Sequence, residues 1–153
     1  MSSKINNHNI DLKIKKLVHN AVIPSYAHDG DAGLDLYCTS KQIKNNSIVY
    51  GTGLAFEIPY GYVGLVFPRS LLANKPNGFY LKNCVGVIDS TYRGEVTGVF
   101  AYPRDSVDVY ESYNVGDKFM QMVIIELPKV NVIEVKELSE TSRGTNGYGS
   151  TGT

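Results

Sequence analysis

Through the middle of the chain apolar side chains recur at every second position, the period of a half-buried β-strand and not of a helix. Leu54, Phe56 and Ile58 alternate in GLAFEIP, Val63, Leu65 and Phe67 in GYVGLVFPR, and Val107 and Val109 in SVDVYE. Each set predicts a strand with one face turned inward. Turn formers punctuate these runs at Pro59 to Gly61, Pro76 to Gly78, Pro103 to Asp105 and Asn114 to Asp117, the rhythm of sandwiches and barrels. The segment 118–126, KFMQMVIIE, is apolar on both faces over most of its length, which predicts a central strand. Helical patterning is confined to SLLANK at 70–75, one or two turns with Ser70 placed to cap them. The stretch 83–99 reads as a β-hairpin: Val85, Val87 and Ile88 on one arm, Asp89 to Tyr92 at the bend, Val96 and Val99 on the return. The expected architecture is one compact β domain carrying a flexible arm.

With 153 residues and a hydrophobic fraction of 42%, the chain suits a single domain with a real core. Fifteen basic residues balance fifteen acidic ones. That balance argues against a broad surface for nucleic acid or an anionic membrane, so any polyanion it binds should be small and held locally. The N-terminus MSSKINNHNI has no apolar core of a signal peptide, and no run approaches the roughly 20 apolar residues of a spanning helix. A cytoplasmic location is the expectation. Cys38 and Cys84 stand apart, in no metal spacing, and read as reduced, mostly buried thiols. His8, His19 and His28 lack paired ligand spacing and read as surface residues.

Reactive polar residues sit at five places where a plain β domain does not need them. In AHDGDAGLDLYC, Asp35 lies amid Leu34 and Leu36, a candidate to hold Mg²⁺ through waters, or else one of several acids about a solvated turn. Arg69 and Ser70 begin the short helical turn, where a guanidinium, a hydroxyl and backbone N–H groups can meet a phosphate, or where serine simply caps. Asp89 at the hairpin bend has the position of a base that activates water, with Tyr92 three residues on; the alternative is a turn aspartate satisfying its own backbone. Gln121 is one amide in an apolar strand, either satisfied in the core or reaching into a pocket. Finally, RGTNGYGSTGT closes the chain with four glycines, the donors Arg143, Ser150 and Thr151, and the flat ring of Tyr148. It reads as a lid that orders over a nucleotide, or as a disordered tail.

In this order and spacing the segments AHDGDAGLDLY, PRSLLANK, NCVGVIDSTYRG, GDKFMQMV and RGTNGYGSTG resemble the five motifs of the trimeric deoxyuridine triphosphatase (dUTPase) family, from Ala27 to Gly152. The resemblance implies an all-β jelly roll at 1–142 with a C-terminal lid arm at 143–153, assembled as a homotrimer. Each active site would draw motifs from different subunits, closed by the exchanged arm of another. It implies hydrolysis of dUTP to dUMP and pyrophosphate with Mg²⁺. Asp89 would deprotonate the attacking water, and Tyr92 would pack under the deoxyribose. Asn83, Gly86, Val87 and Ile88 would read the uracil edge, and Tyr148 would stack on the base. Arg69, Ser70, Gln121, Arg143, Gly149, Ser150 and Thr151 would hold phosphates, and Asp35 the metal through waters.

The chain departs from the family pattern at Leu71, which stands where serine or glycine is usual, at Thr91, where an acid is common, and at Asn146, which replaces a glycine of the arm. Two other readings stand beside hydrolysis. One is a dUTP-gated regulatory protein on the same fold; the other is a relative of the dCTP deaminases, which the complete Asp89 and Tyr92 segment argues against.

Overall fold

The computed structural model describes residues 9–45, 47–74, 79–102 and 113–147. Its elements in order are β1 (Lys13–Lys16), β2 (Leu34–Tyr37), β3 (Ser40–Lys44), β4 (Ser47–Glu57), β5 (Tyr62–Pro68), a single 3-10 turn (Ser70–Asn74), β6 (Tyr80–Leu81), β7 (Gly86–Ile88), β8 (Glu95–Ala101) and β9 (Lys118–Glu126). The architecture is all-β, and among the described residues no helix is long and apolar enough to cross a membrane. The expected strand at Val107 and Val109 lies outside the described residues, as do the turns at Pro76 and Pro103.

Two antiparallel sheets enclose the core. The first runs β1-β4-β8-β6, with β3 sharing the edge of β4 that β1 also uses; the second runs β2-β9-β5-β7. The long β4 sends Ile48, Tyr50, Leu54 and Phe56 inward, which extends the alternation read at its C-terminal end. From the second sheet Leu36, Val66, Met120 and Met122 meet them. Tyr50, Phe100, Tyr113 and Phe119 form an aromatic cluster at one end, with centroids 5.5 to 6.1 Å apart around Tyr50 and Phe100. Edge-on and tilted rings suit the quadrupoles of such a cluster. As expected, β9 is internal, paired with β2 on one side and β5 on the other.

Two expectations are corrected. On β5 the residues facing the core are Tyr62, Gly64 and Val66, while Val63, Leu65 and Phe67 lie on the opposite face beside Ile125, Val123 and Gln121. Both faces of this strand are apolar, so alternation alone leaves its orientation undetermined. The glycine at the inward position hides the signal further. The fit there is close: a Cβ on Gly64 would stand 2.8 Å from Ile58 Cδ1, so that side chain would have to shift. The second correction concerns the hairpin. β7 pairs with β5 in one sheet, and β8 with β4 and β6 in the other. The segment is therefore a corner between sheets, with the Asp89 to Tyr92 turn at its apex.

Beyond β9 the chain runs from 127 to 147 without regular structure and exposed throughout. Val130, Val132, Ile133, Val135 and Leu138 all face away from the domain.

Candidate active site

The site residues gather in two clefts. The first is built around β2 and the end of β5. Asp35 sits opposite Gln121 in the β2–β9 ladder, and Gln121 sits opposite Phe67 in the β9–β5 ladder, so one row of side chains crosses three strands on the outer face. The chain then leaves β5 at Pro68, which places Arg69 and Ser70 at the end of that row. Arg69 Nε lies 2.9 Å from Asp35 Oδ1, and Lys118 Nζ 2.8 Å from Oδ2. The side chain of Asp35 is only 12% exposed, and two cations offset the cost of burying its charge. The hydrogen bond to Asp35 is the main cause of a pKa for Lys118 raised above its usual value.

Gln121 donates from Nε2 to the Pro68 carbonyl at 3.2 Å, while its Oε1 occupies the space that a Cβ on Gly33 would need, 2.6 Å away. A residue larger than glycine in that position would displace the amide. Asp31, Asp35, Arg69, Ser70 and Gln121 line this common cleft. Asp31 also accepts from the His28 backbone N–H at 2.9 Å, closing the turn that leads into β2. Leu71 is 50% exposed and does not line the cleft, so it does not narrow the turn at Arg69 and Ser70.

The second cleft lies at the sheet corner, where Val87, Ile88, Asp89, Tyr92 and Glu95 surround it. Asp89 and Tyr92 are brought together by a tight turn in which the Tyr92 N–H donates to the Asp89 carbonyl at 3.0 Å. The Tyr92 hydroxyl donates to the Glu95 carbonyl at 3.1 Å, which fixes the ring against the wall. Val87 stands 63% exposed on the same strand. Asn83 lies close by, its Nδ2 3.8 Å from where a Cβ on Gly86 would be. Cys84, between them, has φ of 58° and is exposed, which corrects the expectation of buried thiols. Cys38 alone is buried, and burial pushes its thiol up to about 11.

The two clefts do not meet within one chain. β7 pairs with β5 at Gly64 through Ile88, and the five steps from Gly64 to Arg69 span about 17 Å in an extended strand. Asp89 and Arg69 therefore sit near opposite ends of β5. Arg143 belongs to neither cleft: it lies in an exposed turn of the arm, with Nε donating to the Asn146 carbonyl at 3.0 Å. Tyr148, Gly149, Ser150 and Thr151 lie outside the described residues.

Lys118 is the site residue that the sequence reading passed over. A lysine at the start of an otherwise apolar strand, three residues before Gln121, is the signal that marks it. Among the described residues no three His, Cys, Asp or Glu side chains could hold one metal ion together. That donor set still fits Mg²⁺, which keeps several waters and is held by one or two carboxylates plus substrate phosphates. Asp35 and Asp31, which both line the first cleft, would supply those carboxylates.

The dUTPase family model matches residues 19–152. The chain is 40% identical over 144 residues to the deoxyuridine 5'-triphosphate nucleotidohydrolase of Hydrogenobaculum sp., covering 92% of this chain and 97% of that one. Its identity to the enzyme of the same name from Clostridium tetani is 43% over 143 residues, covering 92% and 96%. Among solved structures, the dUTPase of Staphylococcus bacteriophage 80alpha with dUPNHPP superposes with a TM-score of 0.78 at 26% identity, covering 95% of this chain and 100% of that one. A mutant dUTPase from phage phi11 of S. aureus, described with a structural Mg(II) ion, gives 0.69 at 27% identity, covering 84% and 98%. The chain belongs to the dUTPase family.

Proposed function

We propose that this protein hydrolyses dUTP to dUMP and pyrophosphate, in sites that each combine the corner cleft of one copy with the Arg69 cleft of another. The observation that carries this reading is the division of labour between the clefts. One presents a carboxylate beside an anchored aromatic ring, and the other gathers cationic and polar groups suited to phosphate oxygens.

In the corner cleft the exposed Asp89 carboxylate accepts the proton of a water and turns that water toward the α-phosphorus. Tyr92 lies flat under the deoxyribose, where a 2′-hydroxyl would collide. Asn83 and the backbone of Gly86 to Ile88 read the uracil edge, distinguishing O4 from an amino group and leaving no space for a methyl. In the other cleft Arg69, Ser70 and Gln121 hold the phosphate chain and stabilise the charge that grows on it during in-line attack. Asp35, fixed by Arg69 and Lys118, would hold Mg²⁺ through waters together with the phosphates. Bound there, the ion supplies charge neutralisation for the triphosphate. Arg143, Gly149, Ser150, Thr151 and Tyr148 close over the substrate from the arm.

Assembly as a trimer is supported by surface that one chain leaves uncovered. Leu65, Phe67, Val87, Val123 and Ile125 make an apolar outer face on the second sheet, continuous with the Asp35 row. The exposed Val130, Val132, Ile133, Val135 and Leu138 of the segment after β9 likewise lack a partner surface within the described part of the chain. The substrate pool would be that of the cytoplasm. Pyrophosphate release measured across dUTP, dCTP, dTTP and UTP, with and without a chelator, tests the proposal. It expects turnover of dUTP alone, abolished by the chelator; equal turnover of dCTP or UTP contradicts it.

A further inference from the structure

The corner that carries Asp89 has little to hold it. No ladder joins β7 to β8, since each belongs to a different sheet, and among the described residues no side-chain hydrogen bond or ion pair fixes the Asp89 carboxylate. Its direction therefore follows the backbone of the Asp89 to Tyr92 turn. One side chain clamps that turn from outside. Arg93 Nη1 donates to the Ser90 carbonyl at 2.7 Å and to the Tyr92 carbonyl at 2.9 Å. A planar guanidinium loses less freedom per hydrogen bond than a lysine would, so two carbonyls can be held by one group. Arg93 is in turn framed by the Lys13 and Glu57 pair of the first sheet, with which it lines a cleft on the side away from Tyr92. Glu57 is held below the usual carboxylate range by its 2.6 Å hydrogen bond and ion pair with Lys13, with a smaller contribution from Arg93.

We propose that Arg93 is a positioning residue, which holds the Asp89 to Tyr92 turn and with it the Asp89 carboxylate in the orientation that hydrolysis requires. This rests on the reading of Asp89 as the base. Arg93 touches neither cleft wall where substrate would lie; it acts through the carbonyls of the turn. Because the clamp is exposed and water competes for both carbonyls, its loss should loosen the turn without unfolding it. Misplacing a reacting group by about 1 Å can cost on the order of a hundredfold, and a partly disordered turn should cost about tenfold.

The test is a set of kcat and KM measurements on dUTP for the wild type, Arg93→Ala, Asp89→Asn and the double variant. Arg93→Ala should lower kcat about tenfold with KM changed less than about twofold, and it should add no further loss in the Asp89→Asn background. A general loss of structure would lower both backgrounds by the same factor. Wild-type kcat in Arg93→Ala, or an equal loss in both backgrounds, overturns the proposal. If Asp89→Asn itself turns over normally, the base assignment has failed first. Should the alanine variant not fold, Arg93→Lys carries the same test, since the shorter, freely rotating side chain does not hold both carbonyls in a fixed geometry: about threefold lower kcat, again absent beside Asp89→Asn.

Discussion

Asp35 and Arg69 form a 2.9 Å ion pair across β9, joining β2 to the residue that follows β5, two strands that never pair with each other. Lys118 completes the arrangement from β9 itself. Both carboxylate oxygens of Asp35 are thus held by cations, so the carboxylate faces a defined direction.

Removing that carboxylate should act on function through the groups it orients. Asp35→Asn should weaken the Mg²⁺ dependence of dUTP turnover by about 10- to 100-fold, the range for groups that hold a metal indirectly. Titration of activity against Mg²⁺ measures it, and an unchanged half-saturation would contradict the role.

The Lys118 contact carries a pH signature. Because its folded pKa is raised, chiefly by the hydrogen bond to Asp35, its contribution to stability is whole below the ordinary value of 10.5 and is lost as pH rises through the folded one. The melting temperature should therefore fall less steeply in this alkaline range for Lys118→Gln than for the wild type. Parallel slopes would show that the contact carries no such linkage.

Tyr92 is expected to discriminate by shape. Tyr92→Ala should raise the ratio of kcat/KM for UTP over dUTP by about 10- to 100-fold, the scale on which a pocket without polar partners rejects one added hydroxyl. An unaltered ratio would remove Tyr92 from the specificity assignment.

The two thiols should behave differently. Cys84 is exposed, whereas Cys38 is buried with its thiol pushed up to about 11. A thiol reagent at neutral pH should modify one cysteine in the folded protein and the second only after denaturation. A dUTP analogue should slow the first reaction, since Cys84 lies between Asn83 and Gly86. Labelling of Cys38 at the rate of Cys84 would contradict the packing.

Much of this fold is legible in the chain, and the failures have identifiable physical causes. β4 and β9 follow from their apolar patterns, and the short turn at Ser70 from a local helical signal. β5 does not, because both its faces are apolar and Gly64 removes the side chain that would have marked the inner one. The corner at Asp89 reads as a hairpin because a turn between two apolar runs looks the same whether the runs pair or part into different sheets. Of the site residues, Asp35, Arg69, Ser70 and Gln121 converge although they are far apart in sequence, and Lys118 emerges only from the contact it makes.

The outer face of β5 supplies a direct contrast. Val66 packs in the core, whereas the neighbouring Leu65 lies on the outer face. Val66→Asp should fail to fold, since an unpaired buried charge costs several kcal/mol. Leu65→Asp should fold yet sediment as a smaller species with little activity. A Leu65→Asp protein that stays assembled and active would mean that this face is not an interface.

Complementation between variants tests most directly the claim that each site joins the clefts of two copies. Asp89→Asn and Arg69→Ala proteins, each nearly inactive alone, are unfolded together, refolded as a mixture and assayed for pyrophosphate release from dUTP. Random assembly pairs an intact corner with an intact Arg69 cleft in about a quarter of the sites, so the mixture should recover about that fraction of wild-type activity. A mixture no more active than its components, although shown by mass to contain mixed oligomers, would contradict the shared site.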